Sequence, residues 1–199
     1  MTHSMSKGRN VTVRGVVVAR HASGEGSVRV SLYTDLLGLV DPVAKSAREE
    51  RSKLRAHLMV GTLGTFTLVR GEGVWRITGV VDATNIYFAL SGKPRAQKAA
   101  AETLGIVRKF VRGEERDLYF FEVLSEFLRT LPGTSEDKVS LSECAAVLRM
   151  LAALGYVSRT RVPDDLFSVS YDTETLDRVS KDRTAIVKTI NQAISASGL

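Results

Sequence analysis

The sequence is poor in the residues that most chemistry requires. It has one cysteine, Cys144, so a disulfide within the chain and a multi-cysteine zinc site are both excluded. Cys144 sits in an apolar helical pattern and reads as a small buried hydrophobe in a reducing, cytosolic protein. Only three histidines occur, His3, His21 and His57, and none has metal-ligand spacing with another histidine, the cysteine or a carboxylate pair. No run approaches about 18 apolar residues, so no transmembrane helix is expected. The first ten residues lack the apolar core of a signal peptide, and residues 1–9 read as a disordered leader. Aromatic residues make up only 7%, with a single tryptophan.

Nothing present restores a catalytic constellation. Gly92-Lys93 resembles the end of a phosphate loop. However, Pro94 stands where a magnesium-holding Ser or Thr is needed, and position 87 is Tyr rather than Gly. Gly24-Glu25-Gly26 and Gly71-Glu72-Gly73 are turn glycines, and Asp164-Asp165 is a solvated acidic pair. No nucleophile elbow occurs, and the reading is of a protein without catalysis, metal or cofactor.

What the sequence does have is positive charge in one half. The net charge is +6, and residues 1–98 hold 15 Lys and Arg against 7 Asp and Glu, a balance of +8. The remainder holds 13 against 15, a balance of −2. A basic first half and a near-neutral second half predict two units, the first facing a polyanion.

The first half is written as strands. Val11–Arg20, Ser27–Thr34, Leu39–Ala44, Leu58–Arg70 and Val74–Asp82 are β-rich runs, and Gly15, Gly61 and Gly64 serve as bend points. Pro42 marks the third as an edge or bulged strand. Five short strands with glycine corners predict an OB-fold barrel over residues 10–84, with an SH3-like barrel as the alternative. In the second strand Val28, Val30 and Leu32 fall on one face and Arg29, Ser31 and Tyr33 on the other. Arg14 and Arg20 join Arg29 and Tyr33 there if the register allows.

After Ala83 the pattern is helical. Predicted helices cover Arg95–Val111, Arg116–Leu131, Leu141–Leu154 with a capping box at Ser140–Glu143, and one last helix from Asp172 or Thr173 through Ile194. Residues 85–199 thus read as a bundle of about four helices, and the class is α+β. The stripe Tyr119, Phe120, Phe121 and Phe127 reads as its core.

Barrels of this kind bind nucleic acid with cations that follow the backbone and aromatics that stack bases. The candidate contacts are Arg14, Arg20, Arg29, Tyr33, Lys45, Arg48, Arg51, Lys53, Arg55, Arg70 and Arg76. Five of these cations crowd into Lys45–Arg55, diluted by Glu49 and Glu50. Phe66 reads as core, and Trp75 is open between core and stacking roles. Arg112, Arg116 and Arg129, near the aromatic stripe, are candidates for receiving a partner's acidic-hydrophobic peptide. A cation-rich, aromatic-poor surface predicts salt-sensitive, sequence-indifferent binding of single and double strands. A protein-interaction adaptor and an RNA-binding barrel are the alternatives.

Residues 11–82 resemble the RecO family. The matching features are Val16-Val-Val-Ala-Arg20 with Gly24-Glu-Gly-Ser27, Val30-Ser-Leu-Tyr-Thr34, Leu37-Gly-Leu-Val40, and Val43-Ala-Lys-Ser-Ala-Arg48 leading to Arg51-Ser-Lys-Leu-Arg55. Beyond these, Gly155-Tyr156 after a helix is a looser match. The resemblance implies an N-terminal OB-fold and a C-terminal helical domain. It further implies DNA binding, strand annealing in DNA repair, and work with RecR, RecA and the acidic C-terminal tail of single-stranded-DNA-binding protein, in the cytoplasm and on the nucleoid. By position it places DNA contact on Lys45, Arg48, Arg51, Lys53 and Arg55. The chain departs from the family in its short second half, in Ser46 where the family has glycine, and in lacking the four-cysteine zinc element of some members.

Overall fold

The computed structural model describes residues 10–196 except 25, 46, 48–51, 53 and 160–162. The chain divides into two compact units. The first ends at Asn85 and includes Arg112–Arg116; the second comprises Ile86–Val111 and the chain from Asp117 onward. The sequence reading assigns 112–116 to the helical half, whereas the structure groups that short segment with the strands.

The first unit is a closed barrel. Its strands are β1 (Asn10–Ser23), β2 (Ser27–Thr34), β3 (Gly38–Val40), β4 (Val43–Ala44), β5 (Thr62–Arg70) and β6 (Trp75–Asn85). They follow the order β1-β5-β6-β4-β2, and β1 pairs with β2 to close the ring. Because β3 and β4 both lie antiparallel on β2, they count as one interrupted strand, which gives five around the barrel. Pro42 makes the interruption. It has no N–H to offer, but its carbonyl still accepts from Val30 N at 3.1 Å. The one parallel pairing is Val43 with Arg76. This is the OB-like barrel that the strand count predicts, followed by a helical region.

β1 closes the barrel by serving two neighbours. Asn10–Val16 pairs with β5 and Gly15–Ser23 with β2. The two stretches overlap at Gly15 and Val16, and at Gly15 a Cβ would stand 2.9 Å from Leu32 Cδ1 and 3.2 Å from Phe66 Cδ2. Only a glycine lets β1 bend this tightly over the core. That core holds Val13, Val17, Val28, Val30, Leu32, Val40, Leu58, Phe66, Leu68, Trp75 and Ile77. A 3-10 turn at Ala56–Leu58 drops Leu58 into the core.

The segment Arg112–Arg116 is strapped to β3. Leu39 N donates to Gly113 O at 3.0 Å. Gly38 has φ +65°, and a Cβ there would lie 2.4 Å from Glu115 O. Both the backbone conformation and the close approach require glycine.

The second unit contains α1 (Ile86–Ala89), α2 (Pro94–Phe110), α3 (Leu118–Thr130), α4 (Val139–Ala153), α5 (Thr173–Lys181) and α6 (Arg183–Ala196). α4 packs against α2, α3, α5 and α6 and is buried on nearly every side, as expected of a central helix. Phe120, Phe121 and Phe127 are core, as the stripe predicts. No helix of the described residues is long and apolar enough to cross a membrane.

Two helix expectations are corrected. The capping box at Ser140–Glu143 does not form: α4 starts at Val139, its N-cap is Lys138, and no side chain caps it. Ser135 O accepts from Lys138 N and Val139 N, which starts the helix before Ser140 can act. The single last helix is two, broken at Asp182. Leu176, Val179, Ile186 and Ile190 keep helical spacing through the break, so the sequence pattern conceals it. At the other end of α4, Tyr156 N donates to Leu151 O and Gly155 N to Ala152 O, a Schellman closure.

Between α2 and α4, Glu143 and Glu102 line one cleft. Burial, together with the neighbouring Glu102, pushes Glu143 up to about 7, against a relieving contribution from Lys98. Arg95, Lys98 and Glu136 face the same cleft. A carboxyl whose folded value is raised binds its proton more tightly when folded. Its stabilising effect is therefore complete below the ordinary carboxylate range and is lost as pH rises through about 7. Glu143→Gln is expected to raise the melting temperature at pH 8 and to flatten its decline between pH 5 and 8. Thermal melts at the two pH values check this.

Candidate nucleic-acid interface

Register decides which cations of the barrel face outward. Around Val17 the pairs are Val17 with Leu32, facing the core, and Val16 with Tyr33, on the opposite side. Between Val17 and Ala19 the ladder slips by one residue, a β-bulge at Val18. Beyond it Arg20 pairs with Val30, which faces in, and His21 with Arg29, which faces out. An uninterrupted strand would place Arg14 and Arg20 on one face, and the bulge separates them.

Cross-strand pairing then runs an outward row around the barrel: His21 on β1, Arg29 on β2, Val43 on β4, Arg76 on β6 and Val69 on β5. Arg29 and Arg76 are two strands apart, about 10 Å by ordinary strand spacing. Both are exposed, as are His21, Lys45 and Arg55. Among the described residues, Arg29, Lys45, Arg55 and Arg76 belong to no ion pair. Arg48, Arg51 and Lys53 lie outside the described residues.

The remaining candidates are placed differently. Arg14 donates from Nε to Asp35 Oδ2 at 2.9 Å, and its backbone N donates to Asp35 Oδ1 at 3.1 Å. That carboxylate offsets its charge. Arg20 turns into a small cleft with His21, Ala22 and Val28. Its Nη1 is 3.7 Å from Met59 Sδ, and its buried Nε has no hydrogen-bond partner. Arg70 pairs with Glu114 at 3.2 Å.

Stacking fares worse than charge. Tyr33 is 1% exposed and cannot meet a base alongside Arg29, because the outer side of β2 is buried at that level, where Tyr33 adjoins Val16. Phe66 is fully buried, and Trp75 is 9% exposed and part of the core. Its Nε1 donates to Glu114 Oε1 at 3.2 Å, and the Arg70 guanidinium lies 4.9 Å from its ring centre. These three are the aromatic residues before Asn85, so the barrel presents cations and no open aromatic face. Such a surface holds phosphates and leaves bases unread.

Arg112 and Arg116 are exposed on the strap of the barrel unit, and Arg129 is exposed on α3 of the helical unit. Sequence reasoning missed two participants. His21 is found by reading the alternation past the bulge, and a run of three valines gives no sign of that bulge. Glu114 is 39 residues from Trp75 and 44 from Arg70, and no local pattern joins them.

Comparison with known proteins finds relatives of this chain. Residues 5–84 match the family described as Recombination protein O N terminal. The chain is 26% identical over 157 residues to the DNA repair protein RecO of Dehalococcoides mccartyi strain CBDB1, covering 79% of this chain and 61% of that protein. Against the RecO of another D. mccartyi strain, 195, identity is 35% over 75 residues, covering 38% and 30%. With the RecO of Chlorobium limicola it is 25% over 148 residues, covering 73% and 56%. The chain therefore spans less than two thirds of the length of these relatives. The barrel thus matches the N-terminal domain of the RecO family, and the chain is similar to RecO proteins over most of its length.

Proposed function

We propose that the chain is a non-catalytic DNA-binding mediator that holds single and double strands by their phosphates and promotes annealing of complementary strands. The observation that carries this reading is the outward face bearing Arg29 and Arg76, with Lys45 just after β4, all three exposed and free of ion pairs. The basic segment Lys45–Arg55 follows directly from it. Phosphate contact neutralises the mutual repulsion of two strands and leaves their base edges free to pair. The buried state of Tyr33, Phe66 and Trp75 favours this mode over base stacking.

In this reading the protein works in the cytoplasm beside RecR, RecA and single-stranded-DNA-binding protein. Arg112, Arg116 and Arg129 are the proposed contacts for an acidic partner tail. Exposed apolar residues of the helical unit, Phe88 at 73% exposure among them, support a docking role there.

Fluorescence anisotropy with labelled single- and double-stranded oligonucleotides at two salt concentrations tests the reading. Binding that weakens steeply with salt and differs little between strand forms is expected. No binding at low salt, or indifference to salt, overturns it. Lys45→Ala/Arg48→Ala/Arg51→Ala is expected to slow annealing with and without single-stranded-DNA-binding protein while leaving the melting temperature unchanged. Competition with RNA of equal length decides between DNA and RNA as the preferred strand.

A further inference from the structure

We propose that Arg70 and Trp75 form a second phosphate site on the barrel, occupied in the free protein by the Glu114 carboxylate and opened when a nucleic-acid phosphate displaces it. This inference rests on the DNA-binding reading and extends it to a site that the protein itself guards.

The geometry is that of an anion site with an internal occupant. Two donors converge on one carboxylate: Trp75 Nε1 on Oε1 and Arg70 Nη1 on Oε2, each at 3.2 Å. An indole N–H can only donate, and a guanidinium carries only donors, so the hydrogen bonds this pair offers can be met only by acceptor oxygens. Two oxygens of a phosphate present the same pattern as two of a carboxylate, with charge at least as high. Arg70 and Trp75 are a cross-strand pair at the β5–β6 hairpin, so their positions are fixed by the sheet and not by Glu114. The site needs no assembly once the carboxylate leaves.

Displacement is easy in structural terms. The Arg70 and Glu114 side chains are 55% and 47% exposed, so water and salt screen their attraction. The strap is anchored independently of Glu114, through Gly113 O on Leu39 N and the packing of Glu115 over Gly38. A swing of the Glu114 side chain alone uncovers the donors. Arg112 and Arg116, two residues before and after Glu114 in the chain, are exposed.

The test uses the full chain and a short single-stranded oligonucleotide at low salt. Glu114→Gln is expected to bind about three- to tenfold more tightly than wild type, more than the loss of one negative charge gives elsewhere. Glu72→Gln, at the tip of the same hairpin, measures that general charge effect and is expected to change affinity less than twofold. Arg70→Gln is expected to cost little in the wild-type background, where Glu114 already occupies Arg70. In the Glu114→Gln background it is expected to cost several-fold. Trp75 is the only tryptophan, so its emission reports the site without any substitution and is expected to shift when wild-type protein is saturated with DNA.

The inference is overturned if Glu114→Gln gains no more than Glu72→Gln, or if Arg70→Gln costs the same in both backgrounds. An unchanged Trp75 emission at saturation overturns it as well. In all of these cases DNA still binds and the broader reading stands. Failure of every variant to bind DNA overturns the broader reading, and this one with it.

Discussion

Replacing Arg29, Lys45 and Arg76 together by alanine is expected to lower affinity for a single-stranded oligonucleotide by on the order of a hundredfold at low salt, and to cut the salt slope of binding by about two units. The reasoning is electrostatic. Each cation that meets a phosphate releases condensed counterions, so each one lost removes a roughly equal part of both affinity and slope. The three side chains are exposed and without ion pairs, so their removal strands no carboxylate and leaves stability within about 0.5 kcal/mol. Arg14→Ala is the contrasting change. It weakens binding less, since Asp35 already compensates its charge, and it costs stability, since Asp35 is buried and loses a donor. Anisotropy titrations at several salt concentrations, with thermal melts on the same samples, check both changes.

The second large effect is on folding of the helical unit. Arg149 is fully buried in α4. Its Nε donates to Leu166 O at 2.7 Å and its Nη1 to Ser170 O at 3.0 Å, and the guanidinium lies 4.8 Å from the Tyr171 ring centre. Tyr171 in turn donates its hydroxyl to Val123 O at 3.1 Å, and burial pushes its phenol above the ordinary range. One arginine thereby ties the segment before α5 onto α4 through two main-chain carbonyls. Arg149→Ala is expected to destabilise the protein by about 3 kcal/mol, because both carbonyls lose their donor and a cavity opens. Arg149→Met restores most of the volume but no donor, and is expected to fall between alanine and wild type. Arg149→Lys keeps charge without the planar fork and recovers little. Urea denaturation ranks the three. A methionine variant as stable as wild type would mean that the carbonyls rehydrate at no cost.

The parts of the fold legible in the sequence are those set by local pattern. Glycine corners, alternating valines and the Gly71–Gly73 turn are short-range signals, and they yield a five-stranded barrel with nearly correct strands. Helical spacing likewise finds the core of α3 and α4. What stays hidden depends on partners distant in the chain. The bulge at Val18 reverses the face of Arg20, yet Val16, Val17 and Val18 suit either side of a sheet equally. Tyr33 alternates with buried residues and so reads as exposed; its burial comes from the outer side of the barrel, which no strand pattern reports. Arg149 looks like a polar interruption of an apolar helix, because its carbonyl partners lie 17 and 21 residues away. The strap Arg112–Arg116 falls between two helices and gives no sign that it packs on β3.

Chemical-shift mapping of the chain with a short single-stranded oligonucleotide tests the central claim most directly. The account predicts perturbations centred on His21, Arg29, Val43 and Arg76, which pairing brings onto one outward face, and on Lys45 just after β4. Perturbations confined to the helical unit, with that row unaffected at saturating DNA, would contradict it.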